Sequence, residues 1–386
     1  MLSEDDPQRD FFSRSIRERE KKDYDFKTIF FDAVRFDDSV KIHLFAPPML
    51  NLLSELGNPV FYISGKKCRS HRKIGALGKF EEWILTPATK EKKDNDLKIV
   101  FPKGNTYWIK LNILIPLPKG SRILTAIQKN NNIRWIKDWY NYYKRTFSVS
   151  HLVLYDNNSE NIDELESSLP DGTILVNWNF PYGPSISHDN KFSQIGALNH
   201  CRLTFGAQSE IFSFDIDEIL VDTHHKLEIY FSKFRVHYFS SFFVPYISGL
   251  PENYSFSSFT SRNRSPVHTG KKYVYHAGKS TGVLPHYVDS HRIRFLDNLT
   301  ILIKKGINSI LWKNDQKTNL LIKVLNIFLK IMVLGKRQKN YKINEVYFLH
   351  FKGITTNWKN RGNRFSPDKT DNLVLEKSLI NWVENN

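Results

Sequence analysis

The feature that most constrains this chain is a regular change of hydrophobic period between residues 123 and 214. Short apolar runs at 123–127, 148–155, 172–177 and 210–214 alternate with segments at 133–147, 162–169 and 191–205. In the first of those segments Trp135, Ile136, Trp139, Tyr142 and Tyr143 recur at helical spacing. Strands alternating with helices build a mostly parallel sheet flanked by helices, because parallel neighbours need a crossover that returns the chain to the same end of the sheet. The pattern predicts an α/β domain from residue 119 to the end of the sequence. In open sheets of this kind ligands collect at the carboxyl ends of the strands. Two predicted strands end there in acids: Asp156 in the turn DNNS, and Asp215, Asp217 and Glu218 in IFSFDIDE.

The preceding region reads differently. Apolar alternations at 40–45, 59–64, 97–101 and 107–115 are punctuated by Gly, Pro and charge clusters, which predicts a smaller antiparallel β-rich accessory domain over 26–118. The run KEKKDND at 90–96 reads as a turn, and 116–120 as the interdomain linker. Residues 1–25 are densely charged, lack an apolar run of signal-peptide length, and read as a solvated polar leader. With only Cys68 and Cys201 there is neither a disulfide framework nor a cysteine metal site, so a reducing, cytoplasmic setting is expected.

The formal net charge of +16 is unevenly placed. Residues 1–225 are balanced at 30 basic and 30 acidic side chains, and residues 226–386 hold 26 and 10. An anionic partner is expected for the later part: nucleic acid, an anionic membrane or a phosphorylated substrate. No helix-turn-helix, zinc spacing or RNA-recognition signature accompanies the charge, so charge alone supports the alternative of a basic polyanion- or nucleic-acid-binding protein, and no nucleic-acid partner is expected. The most apolar later stretch, 320–334, is interrupted by Lys323, Asn326 and Lys330 and is too short and charged to span a bilayer. Its apolar residues fall three and four apart, which predicts an amphipathic basic helix over 317–339, packed on the α/β domain or lying peripherally on an anionic membrane.

Three acids at one strand end are costly unless they are solvated, paired or bound to a cation. Asp-x-Asp holds hard divalent ions through oxygen, and such an ion neutralises a diphosphate. Two other readings stand beside this one. The first is an acidic turn without function. The second is a haloacid-dehalogenase-like phosphohydrolase or phosphotransferase, against which Ile219 stands where Thr or Val is common and the acids follow a fourth rather than a first strand.

Four separated segments carry a family resemblance. Tyr155, Asp156, Asn157 and Ser159 resemble the Y-D-N-x-S turn of family 92-type and related bacterial glycosyltransferases. Gln194, Ala197, Asn199, Cys201, Asp215, Asp217 and Glu218 resemble the family's Q-x-x-A-x-N-x-C … D-x-D-E block. Lys272 and His286 are similar to a later Lys and His, with Tyr275 where an Arg is common. His350, Lys359, Arg361 and Gly362 resemble the terminal block, and His350, Phe351, Gly353 and Trp358 are also similar to the H-F-x-G ending of family 8 glycosyltransferases.

The resemblance spans residues 123–365. It implies a GT-A fold and an enzyme that transfers a sugar, with inversion, from a UDP-sugar of UDP-galactose-like type to a glycan or lipid-linked glycan at the inner face of the membrane. It implies Mn²⁺ or Mg²⁺ held by Asp215, Asp217 and His350, with His286 as a rival ligand. Asp156, Asn157, Asp215, Lys272 and Lys352 would face the nucleotide-sugar, with Lys279, Lys359 and Arg361 near the pyrophosphate. Trp178, Tyr182 and Trp358 would stack on sugar or base. Glu218, Asp222 and Asp289 are the candidate bases for the acceptor hydroxyl, since inversion needs a carboxylate there.

Overall fold

A computed structural model describes residues 1–2, 6–11, 18–89, 95–184, 191–246, 253–289, 338–354 and 373–378. The protein is mixed α/β, with sheets predominating over a few helices. It divides into two compact units, Met1–Ile216 with Gly282–Pro285, and Asp217–Thr281 with His286–Asn386. The division falls inside the acid cluster, whereas the sequence suggested one at 118/119.

The first unit opens with β1 (Asp32–Phe36), β2 (Ile42–Ala46), α1 (Leu52–Leu56), β3 (Val60–Ile63), β4 (Lys66–Lys67), β5 (Arg69–Gly75), β6 (Phe80–Thr86), β7 (Asp96–Val100), β8 (Thr106–Lys110) and β9 (Asn112–Leu114). These form two sheets, β5-β6-β2-β1-β9 and β4-β3-β7-β8. Alternate residues of both, among them Ala33, Leu44, Phe61, Trp83 and Ile99, enter one hydrophobic cluster. All pairings are antiparallel except β1 with β9, which is parallel. Strand β5, RSHRKIG, is mostly exposed and has almost no apolar signal. It is held by its ladder to β6 and by Arg72, whose guanidinium donates to both Glu81 oxygens at 2.8 and 2.5 Å.

The leader departs from the solvated reading. Leu2, Arg9, Tyr24 and Asp25 are buried, and the Arg9 guanidinium donates to the carbonyls of Pro48 (2.7 Å), Asp25 (2.6 Å) and Thr28. A guanidinium carries five donors, so three converging carbonyls make its burial tolerable and pin the leader down. Backbone bonds from Leu2 to Lys27 and from Arg9 to Phe26 reinforce it.

The same unit continues as β10 (Arg122–Gln128), α2 (Ile133–Phe147), β11 (His151–Asp156), α3 (Ile162–Ser168), β12 (Thr173–Asn177), α4 (Phe192–Thr204) and β13 (Glu210–Ser213). The four strands run parallel in the order β12-β11-β10-β13, within a few residues of the predicted bounds. Helix α2 starts where the Asn132 side chain accepts the Arg134 N–H at 2.9 Å, and buries Trp135, Ile136, Trp139, Tyr140, Tyr143 and Phe147. Helix α4 is buried almost all round. From it Asn199 clamps the returning strand Gly282–Leu284, donating to the Val283 carbonyl at 2.8 Å and accepting its N–H at 3.0 Å. A Cβ at Gly282 would lie 2.3 Å from the Ala76 nitrogen and 2.7 Å from its Cα. Gly282→Ala should therefore cost about 1–3 kcal/mol, as overpacking does. A urea midpoint unchanged from wild type would disprove this close approach.

The second unit comprises β14 (Glu218–Val221), α5 (Lys226–Phe231), β15 (Val236–Val244), β16 (Ser261–Asn263), β17 (Val267–His276), β19 (Tyr287–Asp289), β20 (Gln338–Asn340), β21 (Tyr347–Phe351) and β22 (Leu373–Leu375), with β18 the Gly282–Leu284 strand of the first unit. Its sheet is mixed. Strand β15 lies between β17, antiparallel to it, and β21, parallel to it, and β21 pairs antiparallel with β14. The sequence VHYFSSFFV of β15 is buried at all but one position, as suits a strand covered on both faces. The amphipathic helix expected at 317–339 lies outside the described residues up to 337, and Gln338 and Lys339 belong instead to β20, parallel to β15. Among the described residues no helix is long and apolar enough to cross a membrane.

Candidate functional site

Strand pairing in the second unit gathers distant polar residues. Glu218 opens β14 directly opposite His350 of β21, and the Asp217 carbonyl accepts the Phe351 N–H at 2.8 Å. Directly opposed cross-strand residues put their side chains on one face. Asp217, Glu218 and His350 accordingly offer ligand atoms all within 4.8 Å of one another. His350 Nε2 lies 3.4 Å from Asp217 Oδ2. From β17, Lys272 brings its Nζ to 3.0 Å from Glu218 Oε2, with both side chains almost wholly buried. The His350 ring sits 5.2 Å from that of Phe243, its register partner on β15, and the Lys352 ammonium lies 5.0 Å over the same ring.

The donor set is two carboxylates and one imidazole. Oxygen-rich sets with a single nitrogen suit Mn²⁺, and Mg²⁺ takes the oxygens more readily than the nitrogen. Asp217, Glu218 and His350 therefore fit the kind of ion the sequence suggested, with one change of membership. Glu218, expected as a base, stands in the group, and Asp215 does not; it is partly exposed and lies in the first unit. His286 is exposed, with Nδ1 3.2 Å from the Lys271 carbonyl, and is not one of the three.

Each remaining candidate has its own place in the fold. The Asp156 carboxylate is buried and accepts from Gln128 Nε2, from the Ser159 N–H at 2.9 Å and from Ser159 Oγ at 2.6 Å. Asn157 Nδ2 donates to the carbonyls of Trp178 (2.7 Å) and Phe180 (2.8 Å). These two residues knit the carboxyl ends of β10, β11 and β12 together. Asp222 accepts the N–H groups of Lys226 (2.8 Å) and Leu227 (2.7 Å), closing the start of α5. Asp289 is buried in β19 and its carbonyl accepts the Thr281 N–H at 2.8 Å. Trp178 is a core residue whose indole N–H donates to the Ser193 carbonyl at 3.0 Å, while Tyr182 and Lys279 are exposed. Trp358, Lys359, Arg361 and Gly362 lie outside the described residues.

Two features escaped the sequence. Lys272, expected to reach a pyrophosphate, is the buried counter-ion of Glu218. Its signal was a lysine followed by YVY in a strand whose neighbours are buried, where a charge needs a partner. Phe243, packed on His350, carries no signal of its own within an apolar run. No protein-family model matches the chain, and no curated protein matches it.

Proposed function

We propose that the protein is a metal-dependent glycosyltransferase of the GT-A type, transferring a sugar from a UDP-sugar to a glycan or lipid-linked glycan acceptor. The observation that carries this reading is the convergence of Asp217, from the Asp-x-Asp segment, with His350, from the H-F-x-G segment, beside Glu218. The two segments resemble nucleotide-sugar enzymes independently of each other, and strand pairing brings them within ligand distance. The parallel order β12-β11-β10-β13 agrees with the nucleotide-binding half of such a fold. A Mn²⁺ or Mg²⁺ held there would supply charge neutralisation to a departing diphosphate. Asp217 and His350 would hold the ion with Glu218 beside them, and Lys272 balances Glu218 so that the buried site is not left with two uncompensated carboxylates.

The test is thermal denaturation with UDP, GDP or CMP, each with and without Mn²⁺. UDP with Mn²⁺ together should stabilise the chain by about 2.7 kcal/mol at a hundredfold excess over Kd, and neither alone should approach that. Asp217→Ala should abolish the joint effect. Stabilisation by nucleic acid alone, or by UDP irrespective of metal, would sink the reading.

A further inference from the structure

Within the first unit a cleft of about 350 Å³ opens between β9 and β12, each the edge strand of its own sheet. That volume lies in the range of small-molecule sites. Its walls mix aliphatic and aromatic side chains, among them Leu114 from β9, Val176 from β12, Phe31 and Trp178, with the amides of Asn112 and Asn177. The acidic residue of the lining is Asp32.

Asp32 belongs to a buried chain of hydrogen bonds. The Tyr155 hydroxyl is 2.7 Å from His200 Nδ1, and His200 Nε2 is 3.0 Å from Asp32 Oδ2. Packing of the imidazole against the rings of Phe45 (4.9 Å), Trp178 (5.2 Å) and Phe205 (5.8 Å) leaves His200 1% exposed. An ionised carboxylate only accepts, so the Nε2 proton faces Asp32, and Nδ1 meets the Tyr155 hydroxyl. The other oxygen, Oδ1, accepts the Ala33 N–H and Asn112 Nδ2, each at 2.7 Å. Burial pushes the Asp32 carboxyl up, but the bonds from His200, Ala33 and Asn112 outweigh it and hold the group below the usual aspartate value.

The result is a fixed, ionised carboxylate in a cleft with apolar and aromatic side chains along its walls. A carboxylate has about four lone-pair sites, and these three donors leave one on a side chain that is still 15% exposed. Neither Lys nor Arg is among the described residues that line the cleft. A ligand for this place needs a donor carrying positive charge and a body that prefers apolar and aromatic walls.

We propose that the cleft binds a small organic cation, a primary ammonium on an apolar body, with Asp32 as its counter-ion and His200 and Tyr155 as the residues that position Asp32. This site is independent of the glycosyltransferase reading, since all its residues lie in the first unit and none belongs to the Asp217, Glu218 and His350 group.

The experiment is calorimetric titration of the full chain with phenethylamine hydrochloride, and with 2-phenylethanol as the neutral analogue. The amine should bind saturably and at least about tenfold more tightly than the alcohol. Asp32→Asn should remove that preference. Val176→Phe, which fills the cleft without touching the hydrogen-bond chain, should abolish binding while the far-ultraviolet circular dichroism stays that of wild type. Asp217→Ala should bind the amine as wild type does. Failure of the amine to bind, equal binding of amine and alcohol, or binding that survives Val176→Phe would each overturn the proposal and leave the Asp32, His200 and Tyr155 chain as a structural pin.

Discussion

Replacing Lys272 with Met should destabilise the protein by about 3–5 kcal/mol, read as a lowered urea midpoint at neutral pH. Lys272 is 4% exposed and its ammonium lies 3.0 Å from Glu218, whose side chain is equally hidden. Methionine nearly matches the length and volume of the lysine stem, so little cavity is created and the loss is electrostatic: a buried carboxylate without its counter-charge. The double variant Lys272→Met, Glu218→Gln should recover most of the loss, because removing both charges also removes the desolvation they imposed. The metal reading adds a further expectation. With Lys272 gone, Mn²⁺ at the Asp217, Glu218 and His350 group is a cation that can balance Glu218, so Mn²⁺ should stabilise Lys272→Met more than it stabilises wild type. Equal responses of the two proteins to Mn²⁺ would argue that Glu218 never shares the ion.

The second large effect is on acid stability. His237 in β15 is fully buried, and burial, aided by the nearby His276, pushes its pKa down to about 4. An unfolded histidine titrates near 6.5. As pH falls from 6.5 toward 4 the unfolded chain takes up a proton that the folded chain refuses. Stability is therefore complete above pH 6.5 and declines across this window, by on the order of 3 kcal/mol. His276, also held down by burial, acts with the same sign. The depressed carboxylates Asp32, Glu82 and Glu376 work lower, their contribution fading as pH falls below the ordinary carboxylate range. His237→Phe keeps a flat ring between Phe231 (5.2 Å) and Tyr341 (5.9 Å), and should flatten the stability profile between pH 6.5 and 4.5 even if the hydroxyl of Tyr341 loses its 3.1 Å partner. Urea titrations at stepped pH measure this directly, and identical slopes for the two proteins would assign the acid lability elsewhere.

Parts of this fold were legible residue by residue. Helix α2 was readable over its whole length because its buried face repeats at 3.6 residues and Asn132 caps it locally. Strands β10, β11 and β13 were readable because strands covered on both faces become short continuous apolar runs, and β12 because its apolar run is bounded by Gly172 and Asn177. Strand β5 was not, since its polar sequence is stabilised by Arg72 and Glu81 across a ladder and not by a pattern of its own. The leader was misread for a similar reason: Arg9 looks like a surface residue until the Pro48, Asp25 and Thr28 carbonyls are found around it.

At the candidate site the division follows the same physics. The sequence by itself pointed to segments that the fold brings together: the acids after an apolar run, and a histidine in a distinctive terminal segment. It left Asp156 and Asn157 open, because an aspartate that ties a turn and one that meets a ligand have the same local sequence, and only their bonds to Gln128, Ser159, Trp178 and Phe180 separate the two uses. The tertiary structure decided that Glu218 faces His350, that Lys272 neutralises Glu218, and that Asp32 meets His200. These are contacts between strands and helices far apart in the chain. Register and burial set them, and both arise from the packing of whole sheets, to which no short stretch of sequence has access.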